Sequence, residues 1–217
     1  MSTLAIYGLL IILSYLLGSI PSSVWIGRKF YGIDVREHGS KNAGATNTFR
    51  ILGTKAGLIV FFMDALKGFA AVRLIHLVNL GVTNPDVLIA LQVGLGIGAF
   101  LGHVFPIFAQ FRGGKGVATL FGVIMGIHPL AALIAFGIFL IVFLASKYVS
   151  LGSLSAGVSF PLLLIFAFDS TPVSLSIFSV LVAVLIIITH QKNIGRLVRN
   201  EEKRIEFKHK RKNRFLQ

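Results

Sequence analysis

The sequence predicts an all-α integral membrane protein of seven transmembrane helices, and three observations carry the expectation. First, the 217-residue chain is 55% hydrophobic and only 13% charged, with a mean hydropathy of +0.83, too apolar for a domain with a solvated surface. Second, apolar stretches recur at the length of a bilayer crossing, on the order of 20 residues at 1.5 Å rise each. Third, the basic residues collect on alternate connections. Of 21 Lys and Arg, ten follow His190 and six lie between Arg28 and Lys55.

Taken in order, the spans fall at roughly 4–27, 56–78, 86–108, 117–129, 130–146, 151–168 and 172–190. The first has no basic stretch before it and no small-residue cleavage site after it, so it reads as a retained span and not as a cleaved signal peptide. In the second, Asp64 and Lys67 stand at i and i+3, where they pair and make two intramembrane charges tolerable. The third carries Gly94, Gly96, Gly98 and Gly102. They resemble a dinucleotide fingerprint, but no βαβ unit surrounds them, and small residues spaced by four let helices approach closely. Pro129 divides the fourth span from the fifth, and one long kinked helix is the competing count.

Charge chooses between the counts. Seven spans put the 28–55 loop, Lys115, Lys147 and the C-terminal tail on one side, while the loops at Asn79–Asp86 and Asp169–Thr171 carry no Lys or Arg. Basic connections stay in the cytoplasm, so the N-terminus is expected outside and the C-terminus inside. Residues 1–200 then form a single seven-helix domain. Residues 201–217 form a basic cytoplasmic tail, which suits anionic headgroups or stays solvated.

Composition also excludes chemistries. There is no cysteine, hence no disulfide or thiolate. The six histidines lie far apart with no carboxylate cluster, so no metal site is expected. Asp34, Asp64, Asp86 and Asp169 fall outside the polar motifs, which leaves no Ser-His-Asp set. The net charge of +13 sits in loops and tail with no base-stacking motif, so no nucleic-acid partner is expected.

Three polar segments carry the chemistry. The loop Arg36-Glu37-His38-Gly39-Ser40-Lys41-Asn42-Ala43-Gly44-Ala45-Thr46-Asn47-Thr48-Phe49-Arg50 interleaves glycines, which free the backbone, with neutral donors and cations. That mixture suits phosphate better than it suits a tether. The run Arg112-Gly113-Gly114-Lys115-Gly116, opening an apolar helix, brings backbone amides, a helix dipole and an ammonium to one point. Gly116 stands where a Walker A loop has Ser or Thr, so that motif is excluded. His103, just upstream, reads as a structural or a catalytic histidine. At the end of the last span His190, Asn193 and Arg196 recur every three residues and share a face if the helix continues. A weaker segment, Lys147–Ser153, offers hydroxyls that cap the next helix or touch a ligand.

Together the three segments, R-E-H-G-S-K-N-A-G-A-T-N-T-F-R, G-H-V-F-P-I-F-A-Q-F-R-G-G-K-G-V-A-T and H-Q-K-N-I-G-R-L, resemble the motifs of the bacterial acyl-phosphate:glycerol-3-phosphate acyltransferases, the PlsY family. Gly18–Ser22 matches too, and the resemblance spans nearly the whole chain. It implies a seven-helix enzyme of the bacterial inner (plasma) membrane that moves a fatty acyl group from acyl phosphate to glycerol 3-phosphate, giving lysophosphatidate. No acyl-CoA, acyl carrier protein, cofactor or metal is implied. The partners implied are the two substrates, membrane lipid and an enzyme that produces acyl phosphate. By motif, Ser40, His190 and Asn193 take catalytic roles. Arg50, Lys115 and, by a looser match, Ser153 take phosphate-binding roles, which the residue chemistry above extends to Gly113, Gly114, Gly116, Lys41 and Asn42. The third motif more often reads H-R-x-N-I, and Gln191 here replaces the arginine, which removes a charge from that position.

Two rivals remain at this point. An organic-phosphate transporter also needs basic helix ends, but the motifs gather on one face. An acyl-CoA acyltransferase carries His followed by four residues and Asp, and none of the six histidines has Asp at that position.

Overall fold

The computed structural model describes residues 2–78, 80–168 and 171–205, and every regular element among them is helical. Helix α1 (Thr3–Gly18) opens on Ser2, whose hydroxyl accepts from the Ala5 amide. Ser19–Pro21 interrupts it, because proline at the head of a helix has no N–H to give the preceding turn. Helix α2 (Ser22–Tyr31) then continues to Gly32, whose left-handed φ of 68° stops it. The two make one apolar run of 29 residues.

Helix α3 (Ala45–Leu52) lies within the first polar loop, where sequence reasoning placed no helix. Gly53, at φ 89°, makes the corner into α4 (Thr54–Arg73). The Phe49 ring sits where a Cβ on Gly57 would be, so α3 packs directly on α4. Helix α5 (Pro85–Val104) starts with the Asn84 side chain accepting from the Asp86 amide and with proline in its first turn, where a missing N–H does no harm.

Glycines set the helix spacing as the sequence leads one to expect. A Cβ at Gly98 or Gly102 of α5 would collide with Ser14 or the Tyr15 carbonyl of α1. Gly122 of α6 (Val117–Ile127) meets the Ala65 carbonyl of α4 in the same way. Between hydrocarbon-solvated helices no hydrophobic force draws them together, so such close packing holds the bundle.

Pro129 starts a new helix and does not kink a longer one. The His128 imidazole accepts from the Ala131 amide and caps α7 (Pro129–Ser146). Helix α8 (Val149–Phe166) and α9 (Val173–Thr189) follow, and α10 (Gln191–Val198) leaves α9 at 62°.

Four helical runs are long and apolar enough to cross a membrane, namely Thr3–Tyr31, Pro85–Ala109, Pro129–Ser146 and Val149–Phe166, and the bent pair α9–α10 makes a fifth. The other two expected spans differ from these for plain reasons. Helix α6 has only 11 residues, and α4 carries Asp64 and Lys67 at mid-length. Those charges do pair, at 2.9 Å. Ser22 donates to Asp64 at 2.9 Å and Lys67 donates to the Ile20 carbonyl at 2.8 Å, which fastens α4 to the α1–α2 break.

The main core lies among α5, α6, α7, α8 and α9 and includes Phe100, Leu120, Phe160, Leu164, Phe178 and Val182. Outward faces are apolar as well: Leu133, Ile141 and Leu144 of α7 and Ile177 and Val184 of α9 are exposed. A multi-pass membrane protein presents such a surface to lipid.

Candidate functional site

At the basic end of the bundle a cavity of about 540 Å³ opens among α3, α4, α6, α7, α8, α9 and α10. It brings together Ser40, Lys41, Asn42, Arg50, Lys115, Gly116, Ser153, His190 and Asn193, drawn from all the polar segments. Gly113 and Gly114 stand behind Lys115 and do not line it.

Asn47, fully buried, shapes the first loop. Its Oδ1 accepts from the Ser40 amide at 2.9 Å, and its Nδ2 donates to the carbonyls of Val35 at 2.8 Å and His38 at 3.1 Å. That staple turns Ser40 and Asn42 toward the cavity. Arg36 anchors the loop from below, gripping Asp34 through Nε and Nη2 and donating to the Ala109 carbonyl at 2.7 Å. Hydrogen bonds from Arg36 hold the Asp34 carboxyl well below the usual carboxylate range. Arg50 reaches the cavity from the last turn of α3 and donates to the Lys203 carbonyl at 3.1 Å.

The glycines around Lys115 are dictated by their neighbours. The Gly114 amide donates to the His103 carbonyl at 3.2 Å, and the Gly113 carbonyl accepts from Ala43 at 3.4 Å. A Cβ on Gly113 would strike the His103 carbonyl, and one on Gly114 the His103 ring. The sequence reading offered both amides to a phosphate, but the Gly114 amide already has a protein acceptor. Gly116, at φ 79°, lies against the Phe100 ring and begins α6, whose first residues Val117 and Ala118 line the cavity. The helix N-terminus therefore faces the cavity beside Lys115. Burial lowers the Lys115 pKa to about 8, opposed by Glu202 and reinforced by the cations Arg196 and Arg50.

His190 does not sit on a continuing helix. The chain bends by 62° there, so the shared face expected for His190, Asn193 and Arg196 is broken between the first and the other two. At the bend His190 is the residue that ends α9, and its Nδ1 lies 2.8 Å from the Ile186 carbonyl. Since a carbonyl only accepts, Nδ1 carries the proton and Nε2 keeps the lone pair. Asn193 and Arg196 stay together on α10.

Sequence reasoning missed Glu202, which is only 7% exposed. Its carboxylate accepts from Arg196 Nε at 2.6 Å, Asn193 Nδ2 at 2.7 Å and Ser150 Oγ at 3.0 Å, and lies 3.9 Å from Arg50. Burial pushes its pKa up, but the hydrogen bonds from Arg196, Asn193 and Ser150 outweigh this and hold it below the ordinary value. The one available signal was composition: Glu201 and Glu202 are two of only eight acidic residues and sit in the most basic stretch of the chain.

Residues 201–205 form a strap across the site. Ile205 donates to the Lys147 carbonyl at 2.9 Å, and Arg204 stacks 5.2 Å from the Tyr148 ring centroid. The tail's basic cluster, residues 208–214, lies outside the described residues. In the Lys147–Ser153 segment neither serine caps α8; Ser150 binds Glu202 and Ser153 donates to its own Val149 carbonyl at 2.9 Å.

The mouth thus holds the cations Lys41, Arg50, Lys115, Lys192 and Arg196 against the carboxylate of Glu202, while the other lining carboxylate, Asp64, is paired with Lys67. Below it the walls become apolar, with Phe61, Phe121, Phe136 and Phe139 on one side. Successive rings in that row stand 5.0–6.0 Å apart. An anionic head and a hydrocarbon chain fit one continuous space.

Comparison with known proteins agrees with this geometry. Residues 8–200 match the glycerol-3-phosphate acyltransferase family. The glycerol-3-phosphate acyltransferase of Chlorobaculum tepidum is 43% identical over 222 residues, covering 91% of this chain and 96% of the relative. That of Fusobacterium nucleatum is 44% identical, covering 91% and 97%. Two crystal structures of PlsY (YgiH), an integral membrane glycerol 3-phosphate acyltransferase, are similar throughout. Its glycerol 3-phosphate form has a TM-score of 0.82 at 39% identity, covering 92% of this chain and 96% of that one. Its lysophosphatidic acid form has a TM-score of 0.79 at 38% identity. With family, relatives and fold in agreement over nine-tenths of its length, the chain belongs to the glycerol-3-phosphate acyltransferase family.

Proposed function

We propose that the chain transfers a fatty acyl group from acyl phosphate to glycerol 3-phosphate and releases lysophosphatidate and inorganic phosphate. One observation carries the reading: a single cavity joins a cationic mouth to an apolar chamber, and this donor has both a phosphate and a chain. Acyl phosphate is a mixed anhydride whose phosphate leaves readily. The glycerol hydroxyl attacks the acyl carbonyl carbon directly, and the bond to the phosphate oxygen breaks without a covalent enzyme intermediate.

In this reading Lys115 and the α6 N-terminus hold one phosphate. Arg50, Ser40 and Asn193 hold the other, with Lys41, Asn42 and Ser153 completing the shell and Gly113, Gly114 and Gly116 shaping the loop. Positioning and charge neutralisation supply the rate. His190 receives the attacking hydroxyl at Nε2, either orienting it or taking its proton; a substrate phosphate is the alternative base. No metal or cofactor takes part.

The same proposal sets the membrane topology. Helices α4 and α6 join the five apolar runs as seven spans, with the N-terminus outside and the cavity on the cytoplasmic face of the bacterial inner membrane. Residues 1–200 are the catalytic domain and 201–217 the basic tail, whose first residues strap the site. A cytoplasmic enzyme that makes acyl phosphate supplies the donor. The test is stoichiometry: purified protein given palmitoyl phosphate and glycerol 3-phosphate releases one inorganic phosphate per lysophosphatidate. Phosphate release without lysophosphatidate overturns the proposal.

A further inference from the structure

The apolar chamber has a floor. On α8 the deepest lining residue is Phe160, 11 residues beyond Val149. On α7 it is Ala132, 14 residues before Ser146. At 1.5 Å per residue these lie about 16 and 21 Å below the polar mouth. Same-face residues one turn farther are buried in the core but no longer touch the cavity: Leu164 follows Phe160 on α8, and Phe178 precedes Val182 on α9. The space therefore ends in packed side chains. One turn above Phe160 helices α8 and α9 approach closely, and Gly157 has no room for a Cβ against Ile186.

We infer that Phe160 and Ala132 determine acyl-chain specificity, by forming a floor that sets the longest chain the chamber accepts. The inference rests on the proposed function, which puts the chain in this chamber. An extended chain gains about 1.2 Å per bond, as a backbone of three bonds per 3.3–3.6 Å does. A depth of about 16–21 Å then holds about 14 to 18 carbons. Each methylene buried is worth about fourfold in affinity, and a methylene that meets the floor gains nothing.

The test is a competition among lauroyl, myristoyl, palmitoyl and stearoyl phosphates, with product chains read by mass spectrometry. If the wild-type protein proves to use another donor, the same chain lengths are run with that donor, so failure of the donor assignment is not confused with failure of the floor. Ala132→Leu raises the floor and shifts the optimum two to four carbons shorter, cutting the palmitoyl-to-lauroyl ratio at least about tenfold. The KM for glycerol 3-phosphate stays as in wild type. Phe160→Leu lowers the floor and lengthens the optimum, and carries the test if the first variant does not fold. Leu133→Phe, on the lipid-exposed face of α7, leaves the profile unchanged. An active Ala132→Leu or Phe160→Leu protein with the wild-type chain profile overturns the inference, since the chain would then leave sideways past the Phe136 and Phe139 wall.

Discussion

Asn193 donates through Nδ2 to the Glu202 carboxylate at 2.7 Å, and its Oδ1 accepts from the Lys115 ammonium. With an obligate acceptor on one side and an obligate donor on the other, the amide has one orientation. A residue of the strap thereby orients the acceptor that holds Lys115. Asn193→Ala removes both bonds and leaves a buried carboxylate and ammonium each short of a partner. At about 1.5–3 kcal/mol for a hydrogen bond to a charged group, kcat/KM should fall by about 10- to 150-fold. Initial rates on folded protein check this, and a near-normal value would contradict it.

Lys115 supplies a pH dependence. An ammonium must be protonated to hold phosphate, and burial brings its pKa down to about 8. Below that pH the cation is present; as pH rises through about 8 it is lost, so kcat/KM for the substrate whose phosphate Lys115 holds should decline on the alkaline side with a midpoint near 8. Lys115→Arg keeps the charge at every accessible pH. Its profile, at whatever residual activity, should lack the alkaline limb.

The Lys115 loop depends on the missing side chains behind it. Gly113→Ala and Gly114→Ala place a methyl against the His103 carbonyl or ring. Overpacking of this kind costs about 1–3 kcal/mol, so the loop should shift and the KM for the substrate whose phosphate Lys115 holds should rise by about 5- to 150-fold. Gly137→Ala, where no atom lies within 4 Å of the added Cβ, is the matched control and should be neutral.

His190 is tested by His190→Ala. Losing an Nε2 that receives the attacking hydroxyl should lower kcat/KM by about a hundredfold. A loss in kcat assigns proton acceptance and a loss confined to KM assigns orientation; an unchanged kcat/KM would remove His190 from the site.

Much of this arrangement was legible in the sequence, for reasons specific to its parts. Lys115 and Arg50 stood out because glycine and neutral donors beside a cation have no use in a mere tether. Pro129 marked a helix start, and Asp64 and Lys67 were spaced to pair. The helix break at His190 was not legible, because the spacing of His190, Asn193 and Arg196 is the same whether the helix runs on or bends. Glu202 was hidden for a tertiary reason. Asn200, at φ 57°, turns the chain back after α10 and carries a tail residue into the cavity, which no local pattern announces. Gly113 and Gly114 were seen as phosphate donors because their neighbour His103 lies ten residues upstream of Gly113, across a turn.

The acyl donor is the center of this account, and one assay addresses it directly. Purified protein is incubated with labelled glycerol 3-phosphate and either palmitoyl phosphate or palmitoyl-CoA. Labelled lysophosphatidate should form from palmitoyl phosphate, and Arg50→Ala or Lys115→Ala should abolish most of it. Lysophosphatidate formed from palmitoyl-CoA alone would contradict the account.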